Sequence, residues 1–317
     1  MNIYSNEETQ MTKVFIDGSV GTTGLRIYER LSERRDLTLV TLSEEKRKDA
    51  DARKQAINSA DIAFLCLPDA AAVEAVSFVE NKNTAIIDTS TAHRTAEGWD
   101  YGFAELKGQR EKIAKSKRVA NPGCHASGFI ALVQPLVKSG IISKSQRLDC
   151  VSLTGYSGGG KKMIAEYEGE EKSPLLSAPR MYGLSQQHKH LKEMKAVCSL
   201  ESVPSFLPIV APFYSGMQVT VSLFADEING SLKDIQECYR EYYKSGLVAF
   251  SEKADEDGFL SAAAFSGRDD MQVTVRGNEE RIVLVSQFDN LGKGASGAAI
   301  QNMNILLGID EKTGLVF

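Results

Sequence analysis

Short, continuous apolar runs alternate with helical spacings over the first third of the chain. Val14-Phe15-Ile16-Asp17 reads as a buried strand, and Gly18 to Gly24 as a glycine loop. Leu25 to Arg34 then reads as a helix with Leu25, Ile27, Tyr28 and Leu31 inward. Leu37 to Leu42 is a second strand, Asp49 to Ser59 a helix and Ile62 to Leu67 a third strand. Ala70 to Glu80 is helical, and Ala85 to Asp88 is a fourth strand. Apolar strands joined by helices predict βαβ units on a parallel sheet, so the chain is α/β in class.

The texture changes after Cys124. Phe129, Leu132, Val133, Leu136 and Val137 have helical spacing. Leu148 to Thr154, Ser205 to Ala211, Gln218 to Ala225, Gln272 to Arg276 and Arg281 to Phe288 then read as longer strands that partly alternate. That pattern suits a mostly antiparallel sheet with one covered face. Asn278-Glu279-Glu280 suggests a hairpin, Ser231 to Ser245 a helix, and Gly294 to Leu307 a closing helix.

Length and charge narrow the class. The 317 residues suffice for about two domains of ~100–200 residues each. Acids (42) and bases (37) are interleaved at a formal charge of −5, with no basic stripe for nucleic acid. No apolar run approaches the ~18 residues of a membrane span. Met1 to Thr12 is polar and lacks the apolar segment of a secretory signal, so a cytoplasmic location is expected. Five widely spaced cysteines without a C-x-x-C argue against a disulfide framework or a zinc site, and no metal is expected. Cys66, Cys150, Cys198 and Cys238 read as small packed hydrophobes.

Cys124 differs. Asn121-Pro122-Gly123 makes a tight turn before a helix, which places Cys124 at the helix N-terminus. Unpaired N–H groups and the helix dipole there favour a thiolate, a ready nucleophile. A small residue at a helix start is the plainer alternative. Gly18-Ser19-Val20-Gly21-Thr22-Thr23-Gly24 lies between a strand and a helix, the context of a dinucleotide-binding loop, although the spacing also serves a simple turn. Past the second strand stand Ser43 and Arg47, suited to a ribose 2′-phosphate and hence NADP, or to a solvated charged loop.

Three further segments carry polar chemistry. Thr89-Ser90-Thr91-Ala92-His93-Arg94 follows the fourth strand, where Arg94 could grip a phosphate or make a surface ion pair. Tyr156-Ser157-Gly158-Gly159-Gly160-Lys161-Lys162 allows close backbone approach, with Lys161 as an anion partner, or is a plain loop. His188 and His190 lie near a helix start at a spacing that lets only one face Cys124. His188, outside the first turn, is the expected acid–base group. His190 is expected to orient substrate.

Several motifs in order resemble the shorter subgroup of the N-acetyl-γ-glutamyl-phosphate reductase family, related to aspartate-semialdehyde dehydrogenase. They are Phe15-Ile16-Asp17-Gly18 with Gly21-Thr22-Thr23-Gly24-Leu25, Cys66-Leu67-Pro68-Asp69, Ser90-Thr91-Ala92-His93-Arg94 and Gly98-Trp99-Asp100-Tyr101-Gly102-Phe103. Val119-Ala120-Asn121-Pro122-Gly123-Cys124 and Asp289-Asn290-Leu291-Gly292-Lys293-Gly294-Ala295-Ser296-Gly297 complete the set. The resemblance spans about Lys13 to Gly308. It departs from the family in His125-Ala126-Ser127, where Tyr-Pro-Thr is common, and at Lys192, where Pro is frequent.

The resemblance implies a Rossmann-like NADP-binding domain over 1–123. It implies an α+β catalytic and dimerisation domain over 124–288, and a C-terminal helix over 289–317 returning to the first domain. It implies Cys124 as nucleophile, with Arg94, Glu193 and the His188-Lys189-His190 segment at the site; together with the residue readings, His188 is expected at the proton and Arg94, Asn121, Ser157, Lys161, His190 and Glu193 at the substrate. Gly18, Ser19, Gly21, Thr22, Thr23, Gly24, Ser43, Arg47, Cys66, Pro68, Ser90, Asn290, Gly292 and Lys293 would meet NADP. The implied reaction is NADPH-dependent reduction of N-acetyl-γ-glutamyl phosphate, with release of phosphate, by a homodimer or homotetramer. Rivals are an aspartate-semialdehyde dehydrogenase, a cysteine hydrolase and a non-catalytic NADP-binding sensor.

Overall fold

The computed structural model describes residues 11–317, so the polar stretch read for a missing secretory signal lies mostly outside the described residues. The first sheet contains β1 (Thr12–Asp17), β2 (Leu37–Val40), β3 (Ile62–Leu65), β4 (Ala85–Asp88), β5 (Asp100–Tyr101) and β6 (Arg118–Ala120). Its order is β2-β1-β3-β4-β6-β5, and every pairing is parallel. Helices α1 (Thr22–Ser32), α2 (Ala50–Ser59), α3 (Asp69–Ser77) and α4 (Gln109–Ile113) connect the strands. Because both faces are covered, β3 and β4 are buried at every position. Strand order reverses between β1 and β3, so the ligand crevice falls at Asp17-Gly18 and Leu65-Cys66.

The second sheet follows α5 (Cys124–Lys138) and contains β7 (Asp149–Gly155), β8 (Arg180–Met181), β9 (Ser205–Ala211), β10 (Met217–Phe224), β11 (Val248–Phe250), β12 (Met271–Gly277) and β13 (Arg281–Phe288). Its order is β11-β12-β13-β10-β7-β9-β8. Four neighbouring pairs are antiparallel, while β7/β9 and β11/β12 are parallel. The β7/β9 exception arises because α6 (Gly160–Glu168) and α7 (Leu191–Cys198) lie between those strands and carry the chain back to the same end. Helices α5, α7 and α8 (Leu232–Tyr242) share one core with this sheet. Nearly all of α5 is buried. Pro135 inside it cannot donate to the carbonyl of Ala131, and the Tyr243 hydroxyl donates to that carbonyl instead at 2.6 Å.

The last helix, α9 (Gly297–Leu306), is preceded by a widened turn over Gly292–Ser296. Ala299, Ile300 and Met303 pack with Val14, Ile16 and Ile27 of the first sheet's core, so the chain's end closes the first domain. Two residues of α1 depart from the expected inward face. Ile27 and Leu31 are buried, but Leu25 and Tyr28 are 41% and 36% exposed and line a cleft. A helix at a sheet edge has only one covered stripe, and these two fall on its rim. Among the described residues no helix is long and apolar enough to cross a membrane.

Candidate active site

Three cavities form a chain along the carboxyl ends of β1–β4. The outermost, of about 730 Å³, is lined by Gly18, Ser19, Leu25, Thr41, Arg47 and Lys48. A second, of about 460 Å³, adjoins it at Leu67 and is lined by Gly21, Thr22, Thr23, Gly24, Cys66, Pro68 and Ser90. The innermost, of about 330 Å³, shares Thr22, Thr23, Thr89 and Lys189 with the second and ends at Cys124. A groove of that length running past a helix N-terminus suits a dinucleotide.

The glycines of the loop have unequal roles. Gly18 has φ +85°, and a Cβ there would run into the carbonyl of Cys66. A Cβ on Gly24 would run into the carbonyl of Gly18. These two are small because the chain packs on itself. A Cβ on Gly21 would meet only ordinary contacts, the nearest at 3.4 Å, so its open side faces the groove.

The Cys124 turn is held from several directions. Glu193, 2% exposed on α7, accepts from the Gly123 N–H at 3.2 Å and from the Tyr101 hydroxyl at 2.8 Å. Its other oxygen accepts from Arg94 Nη1 at 2.7 Å. Arg94 also donates to the carbonyls of Asn121 (2.9 Å) and Thr89 (3.1 Å), so three of its five N–H groups are committed to the protein. Asn121 donates to the Ala295 carbonyl at 3.0 Å, tying the turn to the chain's end. A Cβ on Gly294 would stand 2.9 Å from Cys124 Cβ. Gly123 is equally constrained, since a Cβ there would crowd Arg94, His190 Nε2 and Glu193.

The electrostatics differ from the sequence expectation. Burial pushes the Cys124 thiol up to about 11, overriding the backbone N–H of His125 and the charge of Arg94, which pull it down. The residue is only part-buried and lines the cavity, so water there screens some of that push. The helix start is real, but burial outweighs the pull of its N–H groups. Three imidazoles stand close by and are also kept neutral. Burial, with His188 beside it, lowers His125 to about 3. Burial, with Lys189 and Arg94, lowers His188 to about 4. Burial and Arg94 hold His190 well below the ordinary range.

His188 and His190 both line the innermost cavity, with ring centroids 4.7 Å apart. His188 Nδ1 accepts from the His190 backbone N–H at 3.2 Å, so the neutral ring carries its proton on Nε2. His190 is 5% exposed and caps α7, and its Nδ1 is buried without a partner. His125 and Ser157 also line this cavity, with Ser157 Oγ accepting from Asn290 Nδ2 at 3.0 Å.

Several expected residues stand elsewhere. Lys293 does not reach the groove: it is 1% exposed and donates to both oxygens of Glu105 (2.9 and 2.7 Å) and to Gln301 (2.6 Å). A buried ammonium needs such partners, and the interior of the first domain supplies them. Gly292 is buried against the Arg268 carbonyl rather than facing a nucleotide. Asn290 lines the innermost cavity, on the substrate side. Lys161 is exposed on α6 and does not line the cavity, whereas the backbone of Gly158, Gly159 and Gly160 does. Ser43 begins a short 3-10 turn over Glu44–Lys46 and is exposed outside the outer cavity, where Thr41 takes its place.

Sequence reasoning assigned no role to Thr41, Tyr101 and Tyr182 at the site, while Thr89 and Gly294 lay in segments it had singled out. Thr41 sits at a strand end, a position that could have marked it. Tyr101 and Tyr182 carry no periodic signal and come into place through tertiary contacts. Among the described residues no cluster of three His, Cys, Asp or Glu side chains is placed to hold a metal ion.

The chain is similar to known proteins along most of its length. Residues 13–116 match the family described as semialdehyde dehydrogenase, NAD binding domain, and residues 124–290 match semialdehyde dehydrogenase, dimerisation domain. N-acetyl-gamma-glutamyl-phosphate reductase 2 of a Nostoc species is 46% identical, covering 96% of this chain and 99% of the relative. N-acetyl-gamma-glutamyl-phosphate reductase of Brucella ovis is 45% identical, covering 93% and 99%. Aspartate semialdehyde dehydrogenase II of Vibrio cholerae has the same fold at 16% identity, with TM-score 0.72 over 94% of this chain and 99% of that one. The Candida albicans aspartate semialdehyde dehydrogenase solved with NADP aligns at TM-score 0.66 and 17% identity, over 94% and 98%.

Proposed function

The chain belongs to the N-acetyl-γ-glutamyl-phosphate reductase family, and from that premise we propose that it reduces N-acetyl-γ-glutamyl phosphate to N-acetylglutamate 5-semialdehyde, in arginine biosynthesis, through a thioester on Cys124. The observation that carries the reading is the position of Cys124. It stands at the inner end of a nucleotide-sized groove, at a helix N-terminus, among neutral imidazoles and a held arginine.

The steps follow from the parts. His190, whose Nε2 lies beside Gly123, takes the proton of the Cys124 thiol; a neutral imidazole and a neutral thiol make a general-base pair. The sulfur attacks the acyl carbon, the bond to the phosphate oxygen breaks, and a thioester forms as phosphate leaves. Arg94 and the exposed Lys189 at the cavity offset the phosphate's charge. Backbone N–H groups of the first turn of α5 steady the carbonyl oxygen. A nicotinamide dinucleotide, held along the groove by the loop 18–24 and the strand ends at 41 and 66–68, would supply the hydride that reduces the thioester carbon. The Nε2–H of His188 hydrogen-bonds the carbonyl oxygen as charge develops and stays on the ring when the carbonyl re-forms. The carbon–sulfur bond then breaks, releasing the aldehyde, and Cys124 regains its proton from His190.

The cofactor assigned to the groove is NADP. The end of β2 presents Thr41, Arg47 and Lys48 to the outer cavity, a setting that favours a 2′-phosphate. In domain terms, 1–123 binds the nucleotide, 124–288 carries the chemistry and the dimer surface, and 289–317 returns to the first domain. The face of the second sheet away from α5 leaves Val151, Leu153, Leu207, Ile209 and Val283 half-exposed, and a second copy covers it in a homodimer. The protein works in the cytoplasm.

The test is phosphate-dependent oxidation of N-acetylglutamate semialdehyde with NADP, beside aspartate semialdehyde and beside NAD. Turnover of the acetylated aldehyde with NADP is expected. A preference for aspartate semialdehyde would replace the substrate assignment. Equal use of NAD would remove the role of Arg47. Sedimentation showing a monomer would remove the dimer.

A further inference from the structure

The sequence places His125 directly after the nucleophile, and the mechanism above gives it no part. It is 3% exposed, and both ring nitrogens are engaged: Nδ1 with Ser152 Oγ at 2.7 Å and Nε2 with the Tyr182 hydroxyl at 2.7 Å. Buried and uncharged, its ring has one donor and one acceptor. Ser152 lies on β7, 0% exposed, and His125 is the only hydrogen-bond partner of its side chain among the described residues. Two proton arrangements are possible. If Tyr182 donated to His125, the ring would donate to Ser152, and the serine O–H would be left buried without an acceptor. An orphaned buried donor costs about 1–3 kcal/mol. In the other arrangement Ser152 donates to Nδ1, and Nε2–H donates to the Tyr182 oxygen. Every buried donor is then used, and the phenol hydrogen is left free.

Tyr182 lines the innermost cavity. The nucleotide side of that cavity is marked by Thr22, Thr23 and Thr89, which it shares with the groove. Tyr182 lines the innermost cavity and not the groove, so its hydroxyl faces the acyl substrate rather than the nucleotide. The reacting carbonyl already has the first turn of α5 and His188 as donors.

We propose that Tyr182 is a specificity-determining residue that donates its hydroxyl hydrogen to an oxygen at the non-reacting end of the acyl substrate, and that His125, anchored on Ser152, is the positioning residue that fixes this hydroxyl as a donor. The proposal rests on the acyl-phosphate reductase reading given above and names a contact within that site. It explains a buried imidazole beside the nucleophile that cannot serve as a base, since neither nitrogen is free.

Steady-state kinetics on the full-length protein, in the aldehyde-oxidising direction, test it. Tyr182→Phe should raise KM for N-acetylglutamate semialdehyde about tenfold while kcat stays within about twofold. Ser152→Ala, a small change in a buried strand, frees the ring to take the other tautomer. It should raise KM about threefold in the unaltered background and leave it unchanged in the Tyr182→Phe background. Thermal midpoints of all variants separate these effects from unfolding. An unchanged KM in Tyr182→Phe, or a fall in kcat alone, would overturn the substrate contact. Equal effects of Ser152→Ala in both backgrounds would overturn the positioning role. No turnover by the unaltered protein would overturn the reductase reading itself, and this contact with it.

Discussion

The nucleotide groove and the Cys124 pocket are built on different principles. The groove is made mostly by backbone close to itself in sequence: a strand end, the loop 18–24 and the strand ends at 41 and 66–68. The pocket is made by residues drawn from the loop after β4, the turn before α5, the loop before α6, the segment before α7 and the segment after β13. In the first region local chain geometry creates the site, and individual side chains matter less. In the second no segment is competent alone, and Glu193 must hold Gly123 and Arg94 together across 70 and 99 residues of chain.

Substitutions in the two regions should therefore separate binding from chemistry. The largest effect is expected at the nucleophile. Cys124→Ser should lower kcat by at least ~10³-fold, because an alcohol is a far poorer nucleophile at neutral pH. NADP affinity measured by fluorescence titration should stay near that of the unaltered protein. Near-normal turnover in this variant would dissolve the distinction between the two regions.

Lys293 sharpens the comparison from outside both. Lys293→Met leaves Glu105 as an unpaired buried carboxylate, a loss of about 3–5 kcal/mol. Chemical denaturation should register it, with the dinucleotide affinity of the still-folded fraction unchanged. A selective loss of affinity at constant stability would return Lys293 to the cofactor.

Within the glycine loop the expected losses are smaller and divide by position. Gly24→Ala drives a methyl into the Gly18 carbonyl and should lower the thermal midpoint. Gly21→Val meets no such obstacle and should weaken NADP binding by about tenfold at little cost in stability. The reverse pattern would mean that Gly24, not Gly21, approaches the nucleotide.

The mildest expectation concerns pH. With the thiol pushed up to about 11 and His188 down to about 4, neither group of the resting enzyme changes charge between those limits. The thiol is protonated below its raised value, and the imidazole is neutral above its lowered one. The kcat/KM profile should therefore be flat from about pH 5 to 9. Alkylation of Cys124 should keep accelerating as pH rises through that range. A plateau in alkylation below pH 7 would restore a resting thiolate.

Legibility in the sequence followed the same divide. β1 to β4 and their helices were readable because buried parallel strands are continuous apolar runs, as in Ile62-Ala63-Phe64-Leu65. β9 and β13 matched residue for residue, since Ser205 to Ala211 and Arg281 to Phe288 alternate or stay apolar along their length. The two-residue strands β5 and β8 are too short to show a period. They exist because neighbours of the same sheet offer hydrogen bonds to them. Leu25 and Tyr28 were misplaced inward because periodicity gives a face and not the width of its cover.

The sequence by itself determined the two sheets, the glycine loop after β1, the helix beginning at Cys124 and the family to which those motifs point. Each depends on residues near one another in the chain, where spacing and turn chemistry act directly. Only the tertiary structure decided that Cys124 is a protonated thiol, since its charge state reflects the burial that distant elements impose. It also decided that Lys293 is an interior ion pair, that Lys161 points away, and that Tyr182 and His125 stand at the pocket. A side chain's partner across 57 or 188 residues is set by how sheets and helices pack, and no local pattern records that.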